Sequence, residues 1–170
     1  MLRFFLNEES RSYLRELEGE FNESTNAIRI ELNRFENAGL LLSSIEGNRK
    51  VFRANRLHPL YDDIHSILRK YIGLDKLVSN VVEKLSHVTR AYIAGDMAIG
   101  LDNRIIELVL VGNEIDQIFL KKCIKKVEKT INRSINFLIF REEQEKSFLR
   151  QRKDAFLIWV NSEIHDVAGS

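Results

Sequence analysis

The sequence predicts an α+β protein built from two domains and a helical connection. Apolar residues recur with helical spacing in the first forty residues and again before Gly73, and they alternate with polar residues over 41–54. Later in the chain, runs rich in β-branched residues alternate with helical patterns, which is typical of a small α/β domain. We therefore expect a domain of three helices and a β-hairpin over 1–57, a linker helix over 58–73, and an α/β domain over 74–165.

Length and composition permit ordinary cores and exclude several classes of protein. Of the 170 residues, 44% are hydrophobic and 30% are charged, which argues against disorder. The single cysteine, Cys123, cannot form an internal disulfide, and the four histidines lack zinc-ligand spacing. No apolar run is long enough for a signal peptide or a membrane span. We expect a cytoplasmic location, no structural metal, no cofactor and no membrane partner.

Two short helices are predicted first. The apolar start at Leu2–Leu6 predicts a helix of about two turns. A second helix is predicted from Ser10, because one of its faces collects residues at helical spacing, namely Tyr13, Leu14, Leu17 and Phe21. A short break at Asn22–Glu23 separates it from the next helix, and two helices joined by so short a turn are typical of helix-turn-helix proteins.

The third helix is predicted over Asn22–Leu40. Ser24 or Asn22 can cap its first turn, and Gly39 is placed to end it. Its inward stripe is formed by Ile28, Leu32 and Phe35. Its outward face carries Thr25, Asn26, Arg29, Ile30 and Asn33. Short polar groups and an arginine on an exposed helix suit base edges in a DNA major groove, although an amphipathic surface helix without a ligand has the same stripe.

A basic hairpin follows this helix directly. Leu41–Ile45 and Lys50–Ala54 are predicted strands, and the four residues between them form a tight turn rich in Gly and Asn. Its cations, Arg49, Lys50 and Arg53, are placed to contact backbone phosphate or the minor groove. An ordinary β-hairpin is the alternative, but the order of helices followed by a hairpin favours a DNA-binding wing.

Residues 1–57 resemble the winged helix of the ArsR-like bacterial regulators. The likeness is carried by Tyr13–Leu17, Ser24–Leu41, Gly47–Lys50 and Ala54–Tyr61. It implies a transcriptional regulator that binds double-stranded DNA as a homodimer. The DNA-binding residues would be Ser24, Thr25, Asn26, Arg29 and Asn33 on the helix and Asn48, Arg49 and Lys50 in the wing. The chain has Ile30 where such helices often carry a second basic residue, and an exposed isoleucine can meet a thymine methyl or pack on a neighbour.

The linker helix is predicted to open at Pro59 and to end at Gly73. Its apolar stripe comprises Leu60, Ile64, Ile67, Leu68 and Tyr71. Such a stripe can form a dimer contact or pack on its own first domain, and the periodicity alone does not separate the two.

The second domain begins with a helix marked by Leu77, Val81, Val82 and Leu85. Three strands are predicted at Val88–Ala94, Ile105–Val111 and Ile135–Phe140. Helices are predicted at Ile115–Thr130 and Glu142–Arg150. Ala155–Val160 fits either a strand or a last helical turn.

This second domain resembles the minimal nucleotidyltransferase fold, through Tyr92–Gly100 and Asn103–Gly112. In that family a serine after the first glycine helps to hold phosphate, and two carboxylates one residue apart hold two magnesium ions. Here the serine position is Asp96, and the first carboxylate position is Ile105, so only Glu107 remains. The resemblance therefore implies a degenerate nucleotide site at Gly95, Asp96 and Glu107, with no catalytic residue and a role in dimerisation or in sensing a small-molecule or nucleotide effector.

Two rival functions stay open at this point. A metal-dependent nucleotidyltransferase would need Glu107 and another carboxylate, Asp96 or Asp102, to share a metal ion. A protein–protein interaction module, such as an antitoxin-like partner, would need neither DNA nor metal.

The charge is uneven along the chain. The overall net charge is +1, but residues 121–153 contain 11 Lys and Arg against 4 Asp and Glu. Five lysines at helical spacing contribute most of this excess, namely Lys121, Lys122, Lys125, Lys126 and Lys129. They form either a solvated helix face or a surface that contacts flanking DNA or an acidic partner.

Overall fold

The computed structural model describes residues 1–161 and shows a mixed α+β chain with two β-sheets. The chain divides into two compact units. Met1–Leu68 and Ile99–Leu101 form the first unit, and Arg69–Ala98 with the chain from Asp102 onward forms the second. No helix in residues 1–161 has the length and apolar character needed to cross a membrane. The predicted end of the second domain at residue 165 lies outside the described residues.

The first unit contains a three-stranded antiparallel sheet with the strand order β1-β3-β2. Its elements in chain order are α1 (Leu2–Phe5), β1 (Arg11–Tyr13), α2 (Leu14–Phe21), α3 (Thr25–Asn37), β2 (Leu41–Glu46) and β3 (Arg49–Ala54). A further helix, α4 (Tyr61–Ile72), begins in this unit. The hairpin β2–β3 has a two-residue loop, and Gly47 adopts a φ of +64° there, which explains the glycine in the turn.

The predicted second helix starts later than the sequence indicated, because Arg11–Tyr13 form a strand. Ser12 lies opposite Phe52 in the pairing of β1 with β3, and the backbone N–H of Tyr13 donates to Glu16 at 3.2 Å, which fixes the start of α2. Three residues are too few to show strand alternation, so only the tertiary pairing could reveal β1. The first helix is also one turn long, not two.

Helix α3 begins after the predicted cap Ser24 and ends before the predicted stop Gly39. Its bounds, Thr25–Asn37, are shorter than the predicted Asn22–Leu40. Ser24 is its N-cap, and its hydroxyl accepts a hydrogen bond from Ala27 N–H at 3.2 Å. At the other end Gly39 has a φ of +73°, and Leu40 N–H donates to the Phe35 carbonyl at 2.9 Å. This is a Schellman ending, which satisfies carbonyls left free by the last turn.

The core of the first unit lies between the helices and the inner face of the sheet. It is formed by Phe4, Phe5, Leu17, Leu32, Leu41, Phe52, Ala54 and Tyr61. From the predicted stripe of α3, Leu32 is buried, and Ile28 and Phe35 pack against the core while partly exposed. The stripe therefore anchors α3 and leaves its other face in solvent.

The predicted stripe of the linker helix was partly wrong. Ile64 and Leu68 pack on the core, but Leu60, Ile67 and Tyr71 are exposed. Tyr61 and Ile72 are buried in their place. The sequence contains two overlapping apolar stripes that share Ile64 and Leu68, so periodicity could not choose between them.

The second unit is built on a four-stranded sheet of order β6-β5-β4-β7. Its elements are α5 (Leu74–Asn80), β4 (Val88–Ala94), β5 (Ile105–Gly112), α6 (Gln117–Ile131), β6 (Ser134–Phe140), α7 (Glu142–Gln151) and β7 (Phe156–Val160). β5 and β6 run parallel around α6, and the other neighbours are antiparallel. The segment at Ala155–Val160, which the sequence left open, is thus a strand. The helix predicted to run to Leu85 ends at Asn80, and a 3₁₀ turn follows at Val82–Lys84.

Candidate nucleic-acid interface

A cleft of about 720 Å³ opens in the first unit between α2, α3 and the hairpin. Its walls are formed by Tyr13, Leu14, Arg15, Glu16, Arg29, Leu32, Asn33, Asn48, Arg49, Lys50 and Phe52. Five residues predicted to bind DNA therefore line one cleft, two from α3 and three from the hairpin. The remaining three, Ser24, Thr25 and Asn26, are exposed at the start of α3 and do not line it.

The cleft carries an excess of positive charge. Four of its lining residues are cations, and Glu16 is the one acidic group in the lining. The Glu16 carboxylate accepts hydrogen bonds from Ser12 Oγ at 2.8 Å and Tyr13 N–H at 3.2 Å, so it is engaged in capping α2. Within the described residues, neither Arg15 nor Arg29 forms an ion pair, and both are exposed. The sequence prediction did not include Arg15, because its own helix gave no sign that it faces the hairpin.

Lys50 holds the hairpin against α3. Its Nζ lies 2.7 Å from Glu36 Oε2 and 5.0 Å from the Phe52 ring centroid. Glu36 also accepts a hydrogen bond from Ser43 Oγ at 2.5 Å. The hydrogen bond from Lys50, assisted by that from Ser43, lowers the pKa of the Glu36 carboxyl. Lys50 thus positions the hairpin in this structure, and one of the three donors of its ammonium is bound to Glu36.

Arg49 is placed at the hairpin loop and remains exposed. Its guanidinium carbon lies 4.8 Å from the centroid of the Tyr13 ring, a cation–π contact that links the hairpin to β1. Arg53 is also exposed, but it does not line the cleft. Arg49 is therefore the hairpin cation best placed to meet a ligand that enters the cleft.

Ile30 does not pack into the core. Its side chain is 44% exposed, on the same helix as Arg29 and Asn33. An apolar group held in solvent at this position can contact a thymine methyl group if a duplex lies against the helix.

The cap of α3 supports a first prediction. Replacing Ser24 with alanine is expected to lower the free energy of unfolding of the first unit by about 1 kcal/mol, because the N–H of Ala27 loses its acceptor. Urea unfolding followed by far-UV circular dichroism measures this change. Ser24→Asn keeps an acceptor oxygen and is the matched control, so an equal loss in both variants would show that the cap does not contribute.

The second unit contains a compact cluster of charged groups around Gly95. The backbone N–H of Gly95 donates to Asp154 Oδ2 at 2.6 Å. Arg152 Nη2 lies 3.0 Å from Glu107 Oε2 and also 3.0 Å from Asp154 Oδ2. Arg152 Nε donates to Asp154 Oδ1 at 3.1 Å, so the guanidinium binds this carboxylate through two nitrogens. Burial acts to raise the pKa of the Asp154 carboxyl, but the hydrogen bonds from Arg152 and Gly95 outweigh it and lower that pKa.

The pairing of strands explains why Asp154 meets Gly95. Ile93 lies opposite Phe156 in the antiparallel pair of β4 and β7, so the same register carried two residues further brings Gly95 opposite Asp154. Sequence reasoning missed both Arg152 and Asp154. The only signal available was their position just before the possible strand at Ala155–Val160. The sequence did not show that this strand pairs with β4.

The residues of the predicted degenerate nucleotide site are engaged in contacts within the chain. Gly95 and Glu107 adjoin, since a Cβ built on Gly95 would lie 2.2 Å from Glu107 Oε1. Asp96 is exposed and accepts a hydrogen bond from Asn103 Nδ2 at 2.9 Å. The backbone N–H of Gly95 is bound by the Asp154 carboxylate and not by a residue of the predicted site.

The residues present do not fit a pair of magnesium ions. Ile105 supplies no ligand, and Arg152 already forms ion pairs with Glu107 and Asp154. In residues 1–161 no group of three or more His, Cys, Asp and Glu side chains is arranged to hold a metal ion.

Comparison with known proteins finds only distant similarity. No protein-family model matches the chain, and no curated protein sequence matches it. A candidate nucleotidyltransferase from Sulfolobus solfataricus aligns with 20% identity over 59% of this chain and 88% of its own, with a TM-score of 0.41. A mutant of the toxin–antitoxin pair MntA–HpeT aligns with 11% identity over 55% and 77% of the two chains, with a TM-score of 0.42. TrmBL2, an archaeal chromatin protein, aligns with 15% identity over 93% and 66%, with a TM-score of 0.24. These scores are too low to carry a functional assignment.

Proposed function

We propose that this chain is a sequence-specific, double-stranded-DNA-binding transcriptional regulator whose first unit is a winged helix. The order of helix, strand, two helices and hairpin, with β1 added to the hairpin, supports this proposal. In such a domain α3 enters the major groove and the hairpin contacts the backbone beside it.

The observation that carries the proposal is the shared cleft of α3 and the hairpin. Arg29 and Asn33 from the helix line it together with Asn48 and Arg49 from the hairpin. The exposed Arg29 can donate two hydrogen bonds to a guanine edge, and Asn26 or Asn33 can bind an adenine edge. Arg49 supplies phosphate contact, and Ser24 is assigned to capping α3 rather than to base contact.

We propose that the second unit is a nucleotidyltransferase-like domain without catalysis. Its charged cluster supports this, because Asp154 binds the Gly95 N–H and Arg152 binds Glu107. A carboxylate would then stand in the place of phosphate and a guanidinium in the place of a metal ion, and the guanidinium pairs with both carboxylates.

Selection of duplexes from a random pool at 0.15 M salt tests the proposed function. We expect enrichment of a defined sequence, and enrichment of two inverted half-sites would support binding as the homodimer that the resemblance to ArsR-like regulators implies. Recovery of unenriched DNA alone would contradict sequence-specific binding. Capture of one stoichiometric protein partner by a chain that selects no DNA would favour the interaction module.

A further inference from the structure

The five lysines of α6 form one continuous exposed surface, which we call the lysine face: Lys121, Lys122, Lys125, Lys126 and Lys129. All five side chains are exposed. The opposite side of α6 is fixed in the core of the second unit by Leu120, Cys123, Ile124 and Val127. The lysine face is therefore held in solvent by the packing of the helix, and it does not depend on a flexible segment for its exposure.

The lysine face is not neutralised by its own unit. Within the part of the chain that the structure describes, none of the five lysines forms an ion pair. Glu128 is the one acidic residue of α6, and its Oε1 accepts a hydrogen bond from the Ile135 backbone N–H at 2.7 Å. Its carboxylate therefore serves to join α6 to β6.

Repulsion between the lysines of this face destabilises α6. Like charges four residues apart on a helix destabilise it, and the lysine face contains three such pairs, from Lys121 to Lys125, Lys125 to Lys129 and Lys122 to Lys126. Removal of this repulsion by a bound polyanion would stabilise α6. Binding of anions is therefore electrostatically favourable at the lysine face, because it relieves the repulsion between these lysines.

The basic surface continues beyond the end of α6. An open cavity of about 330 Å³ is lined by Arg104, Glu128, Lys129, Asn132, Arg133 and Ser134. Arg133 pairs with Asp102 at 2.8 Å, and Glu128 is bound to the backbone as described. Arg104 and Lys129 remain as cations without an ion pair among the described residues, beside the neutral polar groups of Asn132 and Ser134.

We propose that the lysine face, with Arg104 at its end, binds the phosphate backbone of double-stranded DNA without reading its sequence. The face extends about 12 Å from Lys121 to Lys129 at 1.5 Å per residue, which corresponds to about three to four base-pair steps of 3.4 Å. Lysine suits this role because it contacts phosphate as a point charge and requires no fixed geometry. This inference rests on the proposed DNA-binding function and adds a second, sequence-independent contact surface to it.

The salt dependence of binding by the full chain tests this surface. The variant K122Q/K125Q/K126Q removes three charges and keeps residues of similar helix propensity. The matched control K76Q/K84Q/K146Q removes three exposed lysines from other elements of the same unit. Fluorescence anisotropy with a 30-base-pair duplex, between 50 and 200 mM salt, gives the slope of log K against log salt concentration. Circular dichroism checks that α6 is retained.

We expect the slope to become shallower by about 2.7 in the lysine-face variant, at about 0.9 for each lost phosphate contact, and to stay unchanged in the control. Equal slopes in the two variants would overturn the inference while leaving the winged helix as the binding site. Loss of binding in the lysine-face variant, with no sequence preference in the wild type, would support the inference and contradict the proposed function. A wild-type chain that binds no duplex at 50 mM salt would overturn both.

Discussion

Replacing Arg29 with alanine is expected to weaken binding to the selected duplex by about 1–3 kcal/mol, or roughly 5- to 150-fold, and to relax the preference at one base pair. Arg29 lines the cleft, is exposed and has no ion-pair partner among the described residues, so its guanidinium is available to a guanine edge. A bidentate contact of this kind carries a discrimination of that size. Competition binding with the selected duplex and its single-base variants measures both effects.

Arg34→Ala is the matched control on the same helix. Arg34 is exposed, but it pairs with Glu31 at 2.6 Å and does not line the cleft. An exposed ion pair of this type contributes little, so this variant should bind as the wild type does. Equal affinity of Arg29→Ala and Arg34→Ala for every duplex tested would show that the base-reading assignment is wrong.

Replacing Gly112 with alanine is expected to lower the free energy of unfolding of the second unit by about 3 kcal/mol or more. A Cβ built on Gly112 would lie 1.9 Å from the His87 carbonyl oxygen, and that atom belongs to the backbone. Relief of this contact requires β4 and β5 to separate at the Val88–Gly112 pair, which costs more than a side-chain rearrangement. Urea unfolding followed by the fluorescence of Trp159, the only tryptophan of the chain, measures the loss.

Replacing Gly19 with alanine is expected to stabilise the chain, in contrast to the same replacement at Gly112. Gly19 lies within α2, and a Cβ built there meets no atom within 4 Å. Alanine should therefore stabilise the first unit by about 0.5–1 kcal/mol, because it restricts the unfolded chain. Far-UV circular dichroism follows this unfolding. A large loss in Gly19→Ala, or none in Gly112→Ala, would contradict the packing described for these glycines.

The elements of the chain were largely predictable where local signals agree. Helix α3 has both a cap and a glycine stop, and the hairpin has alternation with a two-residue Gly–Asn loop, so each was found from its own residues. Strand β1 was missed because three residues carry no periodicity and only pairing with β3 forms it. The face of α4 was partly misassigned because two apolar stripes share Ile64 and Leu68.

The residues of the candidate sites also fall into two groups, those that local periodicity indicates and those that depend on tertiary contacts. Exposure of Arg29 and Asn33 follows from the helical period once Leu32 is inward, so the sequence could indicate them. The role of Lys50 could not be predicted, since its partner Glu36 lies on α3 and comes close only in the folded unit. The contacts of Arg152 with Asp154 and Glu107 likewise depend on the strand order, in which β4 lies between β5 and β7.

The charged cluster around Gly95 also constrains how this chain can evolve. A two-carboxylate metal site would require an acidic residue in place of Ile105 and loss of Arg152, together with loss of the Asp154 contact to Gly95. Ile105→Asp alone adds a negative charge and leaves Arg152 on Glu107. Loss of Arg152 alone leaves Glu107 and Asp154 without the cation that they share. No single substitution therefore creates a two-carboxylate metal site in this chain, because the missing acidic residue and the paired arginine are separate obstacles.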